Sequence, residues 1–338
     1  MSQVVPIRDS VLDWLLGDDH PSVRFRTLTE LLGRRLTPRE AAAAKLRIAD
    51  SVAAAALFGP MAADGSWQYP YRNQLNRYLK FVTASLSYAA ELGLGRGDPR
   101  VARAVEHLFT LQQEDGDFFR HYSCYNGLIL RTLNRLGCGD DRRTARLRAL
   151  LLNSIRHDGG CHCDLRPRRG RAASSPHKSC IKGSLKALLA FAEDPELCAT
   201  EECSRLAQYF LRRHVCFRTD DRTRPVVPAL LQLAFPITYH PGLLEALYPL
   251  SALGHGRRPE MDEAWSLLAQ RQRPDGRFVL ERSVNWPHLR TSPRGRPSKW
   301  VTFYAYLALK HRGIETPAAR EARDWCSVRH EPMGGMPL

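Results

Sequence analysis

The stretch Gln112-Gln113-Glu114-Asp115-Gly116-Asp117-Phe118 governs the fold, because its pattern returns as Gln272-Arg273-Pro274-Asp275-Gly276-Arg277-Phe278. A segment with helical periodicity precedes each Asp-Gly pair, and an apolar helical segment follows it. Glycine supplies the positive φ that a tight turn needs, and the aspartate beside it hydrogen-bonds local backbone amides. Each stretch therefore predicts a helical hairpin made of an outer helix, an Asp-Gly turn and an inner helix.

Two more Asp-Gly turns, Asp64-Gly65 and Asp158-Gly159, extend this pattern into a repeat. The gap between Asp158 and Asp275 is long enough for one further repeat, whose inner helix would be Leu243–Leu253. The pattern thus predicts five inner helices, which begin near Tyr78, Tyr122, Lys178, Leu243 and Trp300.

Stacked hairpins bury apolar faces that none of them can bury alone, and a small rotation per hairpin closes the stack into a ring. We therefore predict an all-α protein, an α/α toroid of about five helical-hairpin repeats. The toroid domain would cover residues 61–338, and residues 1–60 would form an N-terminal helical, HEAT-like segment packed on it. An open helical solenoid is the alternative.

The charge balance favours an anionic partner. The 338 residues include 50 Lys plus Arg and 35 Asp plus Glu, a net charge of +15. A composition rich in Arg and Ala, as in high-GC bacteria, explains the same excess without a partner. Nucleic acid is the weaker choice, because few aromatic residues are interleaved with the arginines.

The nine cysteines are read here as reduced thiols. Residues 1–10 have no apolar signal segment, and no apolar run is long enough to span a bilayer, so we expect a cytoplasmic protein. In that compartment, clustered Cys and His suggest metal before disulfide. The candidate zinc ligands are Cys124, Cys161, His162, Cys163, His177 and Cys180.

Two of these clusters repeat one pattern, His121-x-Ser-Cys124 and His177-x-Ser-Cys180. On a helix, residues three apart share one face, so two such pairs could supply four zinc ligands. Three ligands would instead leave an open position for catalysis. The alternative is a helix-start motif, in which the Cys packs and the His caps a turn.

The Gln-x-x-Asp-Gly-x-Phe pattern resembles the repeat motif of squalene cyclases and prenyltransferases. Asp158-Gly159-Gly160 followed by His177-Lys178-Ser179-Cys180, together with Ser123-Cys124-Tyr125, resembles the β-subunit of protein prenyltransferases. This resemblance implies zinc ligands at Cys124 and His177 and a diphosphate contact at Tyr125. The family has an Asp where this chain has Tyr122, so Asp117 or His121 would have to substitute for it.

We therefore expect a prenyltransferase- or terpene-cyclase-like enzyme with an apolar, isoprenoid-type substrate in a central cavity. The catalytic residues would be Tyr125, His177 and Asp117, with zinc as cofactor. A diphosphate on the substrate would be bound by a basic loop formed by Arg166, Arg168, Arg169 and Lys178.

Two other functions stay open at this stage. One is a non-catalytic helical-repeat protein that binds an anionic partner. The other is a lanthionine-cyclase-like zinc toroid, suggested by Cys124-Tyr125-Asn126-Gly127 before Cys161-His162. The sequence leaves open whether the chain is catalytic, and it does not give an oligomeric state or a partner subunit.

Overall fold

The computed structural model describes residues 7–67, 75–162, 179–284, 286, 288–289 and 291–313. Within these ranges the chain forms thirteen α-helices: α1 (Asp9–Leu15), α2 (Pro21–Arg26), α3 (Pro38–Ala49), α4 (Val52–Phe58), α5 (Leu75–Leu92), α6 (Pro99–Phe109), α7 (Ser123–Arg135), α8 (Arg142–Asn153), α9 (Ile181–Glu193), α10 (Glu201–Leu211), α11 (Leu244–Ala252), α12 (Asp262–Ala269) and α13 (Lys299–His311). A π-helical turn, Thr27–Leu31, continues α2. Extended residues in the described part form isolated bridges only, so the predicted all-α class is confirmed.

The predicted Asp-Gly turns share one hydrogen-bond geometry. The aspartate oxygen accepts from the backbone N–H two residues on, at 2.9 Å for both Asp64 and Asp115 and at 3.1 Å for both Asp158 and Asp275. This local bond depends only on neighbouring residues, which explains why the turn is visible in the sequence.

The missing repeat lies where the long gap predicted it, with α10 as outer helix and α11 as inner helix. Its turn uses Asp221, whose side chain accepts from the N–H of Thr223 at 3.0 Å. The backbone closes from Arg218 to Arg224, two residues more than in the turn closed from Gln113 to Asp117. The longer turn has no Asp-Gly pair, so the repeat motif does not predict it.

Each turn glycine packs against the next outer helix. A Cβ added at Gly65 would lie 2.3 Å from the carbonyl oxygen of Arg103 on α6, and one at Gly159 would lie 2.4 Å from that of Arg205 on α10. The last turn makes the same kind of contact with α1, because a Cβ at Gly276 would lie 2.9 Å from a methyl group of Val11. The first helix of the chain therefore follows the last hairpin in the ring.

The inner helices form a closed ring. Helix α7 packs between α5 and α9, α9 contacts α11, and α11 contacts α13. Helix α2 contacts both α13 and α5 and so completes the circle. The predicted α/α toroid is confirmed, but with six hairpins instead of about five, because α1 and α2 form the sixth. A domain boundary after residue 60 stays a prediction.

A loop segment fills one half of the bore. Phe235 stacks on Trp300 of α13, with ring centroids 4.6 Å apart, and lies 6.2 Å from the ring of Tyr88 on α5. The Ser87 hydroxyl of α5 donates to the Ile237 carbonyl at 3.1 Å. The segment therefore crosses the ring on its way to α11.

A buried ion network fills the other half. Its charged members are Arg26, Glu30, Glu91, Arg131, Arg135 and Glu193, and Tyr304 hydrogen-bonds to three of them. These residues come from α2 and its π-helical turn, α5, α7, α9 and α13. In the described part of the chain, side chains thus occupy the middle of the ring. The prediction of a central cavity is therefore corrected to a site at the mouth of the ring. No helix in these ranges combines the length and the apolar character needed to cross a bilayer.

Candidate functional site

The candidate site lies at the mouth of the ring, where the inner helices begin. Tyr125, in the first turn of α7, stacks on Tyr239 from the loop before α11, with ring centroids 5.4 Å apart. The ammonium nitrogens of Lys80 on α5 and Lys182 on α9 lie 4.5 Å and 5.1 Å from the Tyr239 ring centroid. Two cations from separate helices therefore meet at one aromatic ring.

Two more cations lie below this pair. Lys186, one turn along α9 from Lys182, is fully buried and bonds to Glu245. Arg282 donates to the carbonyl of Pro241, next to the Tyr239 loop. Of these four cations, only Lys186 forms an ion pair within the described part of the chain, and its partner is Glu245. We call Lys80, Lys182, Lys186 and Arg282 the mouth cations.

The mouth cations raise the local positive potential. Burial, with Lys182 and Arg77 nearby, lowers the pKa of Lys80. Burial, together with Arg131 and Arg282, holds the pKa of Lys186 well below its usual range. Burial disfavours charge of either sign here, but the neighbouring cations that also lower these pKa values would be offset by a bound anion.

Two polar atoms beside the mouth cations have no hydrogen-bond partner in the described structure. They are Oε1 of Glu245 and Nε of Arg282. The side chain of Glu245 is only 3% exposed. Buried polar atoms normally find partners, so these two indicate room for a polar ligand atom or water.

An aromatic wall continues the site along α5. Phe81 lies 5.5 Å from the ring of Trp286 and 4.5 Å from that of His288. The Ser85 hydroxyl and Nε2 of His288 are 3.0 Å apart. Burial lowers the pKa of His288 to about 4, so this histidine is neutral at pH 7. The mouth therefore combines cations with uncharged aromatic faces.

Asp117 lies in the second turn, away from the mouth cations. Its carboxylate accepts from Asn126 Nδ2 at 2.7 Å, from Gln113 Nε2 at 3.0 Å and from the N–H of His121 at 2.9 Å. These bonds occupy both oxygens in holding the turn against α7. The geometry favours a positioning role, and the catalytic assignment of Asp117 stays a prediction.

The Ser-Cys halves of the two motifs, Ser123-Cys124 and Ser179-Cys180, come together at the starts of α7 and α9. Gly183 sits against Ser123 and Cys124, and the Ser123 hydroxyl donates to the carbonyl of His162 at 2.6 Å. The N–H of Cys180 donates to the carbonyl of Cys161 at 2.9 Å. The backbone therefore gathers four predicted zinc ligands into one region.

The side chains of two of these predicted ligands, Cys180 and Cys161, have different surroundings. The Cys180 sulfur accepts from the N–H of Gly183 at 3.4 Å and so caps α9. The Cys161 thiol is buried, and burial raises its pKa to about 12. Within the described ranges no three metal-binding side chains converge. The described donors therefore do not fit a zinc ion by themselves, and zinc stays a prediction.

Several predicted residues fall outside the described ranges. They are Cys163, Arg166, Arg168, Arg169, His177 and Lys178. Their proposed roles in zinc and diphosphate binding stay predictions.

Sequence reasoning identified Cys124 and Tyr125 but overlooked most of the site around them. Lys80 and Lys186 are flanked by apolar residues, Arg282 follows Glu281 in a loop, and Tyr239 lies in a loop without a motif. One usable signal exists, since Lys182 and Lys186 lie four residues apart in an otherwise apolar helix and so share one face. A charged face on a helix that is buried on all sides indicates that charged side chains line a site inside the protein.

No family model matches this sequence, and no curated protein has a matching one. Solved structures align with it at low identity. A glycosyl hydrolase family 88 protein from Bacteroides vulgatus is 14% identical, with a TM-score of 0.47, over 87% of this chain and 90% of that one. A protein from Actinoplanes is 14% identical, with a TM-score of 0.41, over 87% and 90%. The type II terpene cyclase MstE from Scytonema is 13% identical, with a TM-score of 0.31, over 79% and 97%.

Proposed function

We propose that the protein is a prenyltransferase- or terpene-cyclase-like enzyme that binds the diphosphate of an isoprenoid substrate at the mouth of the ring. The observation that carries this proposal is the set of four mouth cations, which have Glu245 as their single carboxylate partner in the described structure. Phosphate oxygens are the natural counter-charge for such a cluster. The partly exposed ring of Tyr239, backed by the buried Tyr125, would contact the apolar part of the same molecule.

This arrangement suits heterolysis of an allylic diphosphate. The bond between the allylic carbon and the diphosphate oxygen breaks, and its electron pair leaves with the diphosphate. Lys80, Lys182 and Arg282 stabilise the negative charge that develops on the leaving group. The partly exposed ring of Tyr239 stabilises the allylic cation. A nucleophile, or loss of a proton to the released diphosphate, ends the reaction, and no step here depends on zinc.

Binding of geranyl diphosphate tests the proposal, with the double variant Lys80→Gln/Lys182→Gln compared with the single variant Lys45→Gln. Lys45 lies on α3, outside the ring, and contacts Phe25. Since a hydrogen bond to a charged group contributes about 1.5–3 kcal/mol, we expect the double variant to lose at least about tenfold in affinity. The Lys45 variant should match the wild type in titration calorimetry.

Each other outcome removes a defined part of the proposal. Unchanged affinity in the double variant would place the anion elsewhere. Equal affinity for inorganic diphosphate and geranyl diphosphate would show that the isoprenoid tail does not contribute to binding. Tight binding without release of inorganic diphosphate would favour the non-catalytic binding protein.

A further inference from the structure

A cavity of about 530 Å³ opens at the far end of the ring, where the inner helices end. This volume is within the usual range of small-molecule sites. The lining includes Arg135, the last residue of α7, and Glu193, the last residue of α9. Lys182 lies in the first turn of α9, so the mouth is about 16 Å away along that helix. The far cavity is therefore separate from the mouth.

The lining of the far cavity is acidic, although the chain as a whole carries a net charge of +15. Burial alone would raise the pKa of Glu193, but Arg131 and Arg135 outweigh it and lower that pKa, so this carboxylate is ionised at pH 7. Helices α7 and α9 also turn the negative ends of their dipoles toward the cavity. Four carboxylates in the lining face two guanidiniums, namely Glu30, Asp140, Glu193 and Glu196 against Arg135 and Arg148.

The cations around the far cavity already have partners in its wall. Arg135 Nε lies 2.7 Å from a carboxylate oxygen of Glu193, and Arg148 Nε donates to the carboxylate of Asp194 at 2.9 Å. The Lys310 ammonium donates to a backbone carbonyl of the π-helical turn at 2.7 Å. These bonds direct the positive charges into the wall, so the open space of the cavity stays negative.

A buried acceptor and two exposed carboxylates remain available to a ligand. Oδ1 of Asn134 is buried and has no hydrogen-bond partner among the described residues, while its Nδ2 donates to Asp194 at 2.8 Å. Gly139, which also lines the cavity, faces this oxygen, because a Cβ added there would lie 3.2 Å from it. Asp140 and Glu196 are exposed at the rim. A buried acceptor without a partner is unfavourable, so Asn134 Oδ1 calls for a donor.

We propose that the far cavity binds an organic amine with two or more ammonium groups, one that donates to Asn134 Oδ1 and others that pair with Asp140 and Glu196. An ammonium group carries three donors and the charge that this lining lacks. A metal ion suits the cavity less well, because within the described ranges no three metal-binding side chains converge. This inference does not depend on the proposed function.

Titration calorimetry of the full chain with putrescine and spermidine tests the proposal, with the uncharged diol of the same chain length as putrescine for reference. We expect one amine per chain, and the diol should bind at least tenfold more weakly than putrescine. The double variant Asp140→Asn/Glu196→Gln should lose about fivefold or more in spermidine affinity, since exposed ion pairs contribute modestly. Gly139→Ala covers Asn134 Oδ1 and should lose about tenfold.

The matched control is Asp13→Asn/Glu114→Gln, which removes the same two charges from exposed positions elsewhere and should bind spermidine like the wild type. Equal losses in the two double variants would overturn the proposal, because the effect would then come from net charge alone. Equal binding of putrescine and the diol would overturn it as well. So would the absence of saturable amine binding by the wild type. Unchanged spermidine affinity in Gly139→Ala would remove Asn134 from the site.

Discussion

At the scale of single residues, Gly127 sets the distance between α7 and α9, the most closely packed pair of inner helices. A Cβ there would lie 2.7 Å from the backbone nitrogen of Ala187. In an isolated helix, Ala would be preferred to Gly by about 1 kcal/mol. Here the steric conflict is with backbone, which cannot move aside as a flexible side chain does, so we expect Gly127→Ala to destabilise the protein by about 1–3 kcal/mol.

The matched control is Gly97→Ala, because a Cβ at Gly97 meets nothing within 4 Å. Urea unfolding of both variants measures the difference, and Gly97→Ala should stay within about 0.5 kcal/mol of the wild type. Equal stability of the two variants would mean that the α7–α9 contact adapts. The positions of Cys124 and Lys186 relative to each other depend on this contact.

At the scale of elements, α1 closes the ring by receiving the last turn. Val11 is fully buried beneath Gly276, and α1 also contacts α13. We expect Val11→Asp to open this seam, because an unpaired buried carboxylate is strongly unfavourable. Hydrogen exchange should become faster in α1 and α13, while α7 and α9 on the far side keep their protection.

Asp13→Ala on the exposed face of α1 is the control and should leave the exchange pattern unchanged. Loss of protection spread evenly over all inner helices in Val11→Asp would show that the ring unfolds as one unit. If hydrogen exchange in α13 of the Val11→Asp variant kept its wild-type rate, α1 would be dispensable for closure of the ring.

At the scale of the whole molecule, the buried charges predict how stability depends on pH. Burial alone would raise the pKa of Glu30, but Arg26 and Arg135 outweigh it and lower that pKa to about 2. Burial lowers the pKa of both His288 and His20 to about 4. The unfolded chain takes up these protons near pH 6.5 for histidine and near 4.5 for glutamate.

Stability should therefore fall in two stages as the pH drops. Between about pH 6.5 and 4 the unfolded state binds more protons at His20 and His288, and His288 accounts for roughly 2–3 kcal/mol of the loss. Below about pH 4.5 the carboxylates of the ion network add a second loss. His288→Gln should flatten the first stage of the melting temperature against pH and leave the second intact. A His288→Gln profile that keeps the wild-type slope between pH 6.5 and 4 would contradict the assignment.

The features of this protein that depend on near neighbours in the chain could be predicted from the sequence. The Asp-Gly turns rest on bonds between residues two positions apart, and the inner helices are rich in apolar residues. For that reason α5, α7, α9, α11 and α13 begin close to the predicted positions. A local motif predicted Cys124 and Tyr125 at the start of an inner helix, and they lie in the first turn of α7.

The residues that fill the ring and line its mouth are brought together by long-range packing. Lys80 and Lys182 lie on separate hairpins and share no motif, so their meeting at Tyr239 depends on the packing of the ring. Phe235 enters the bore because the connection between α10 and α11 is long enough to cross it. The sixth hairpin escaped prediction because α1 receives its turn from residues more than 260 positions away, at Gly276. Contacts over such separations arise from packing of the whole chain, which no local pattern encodes.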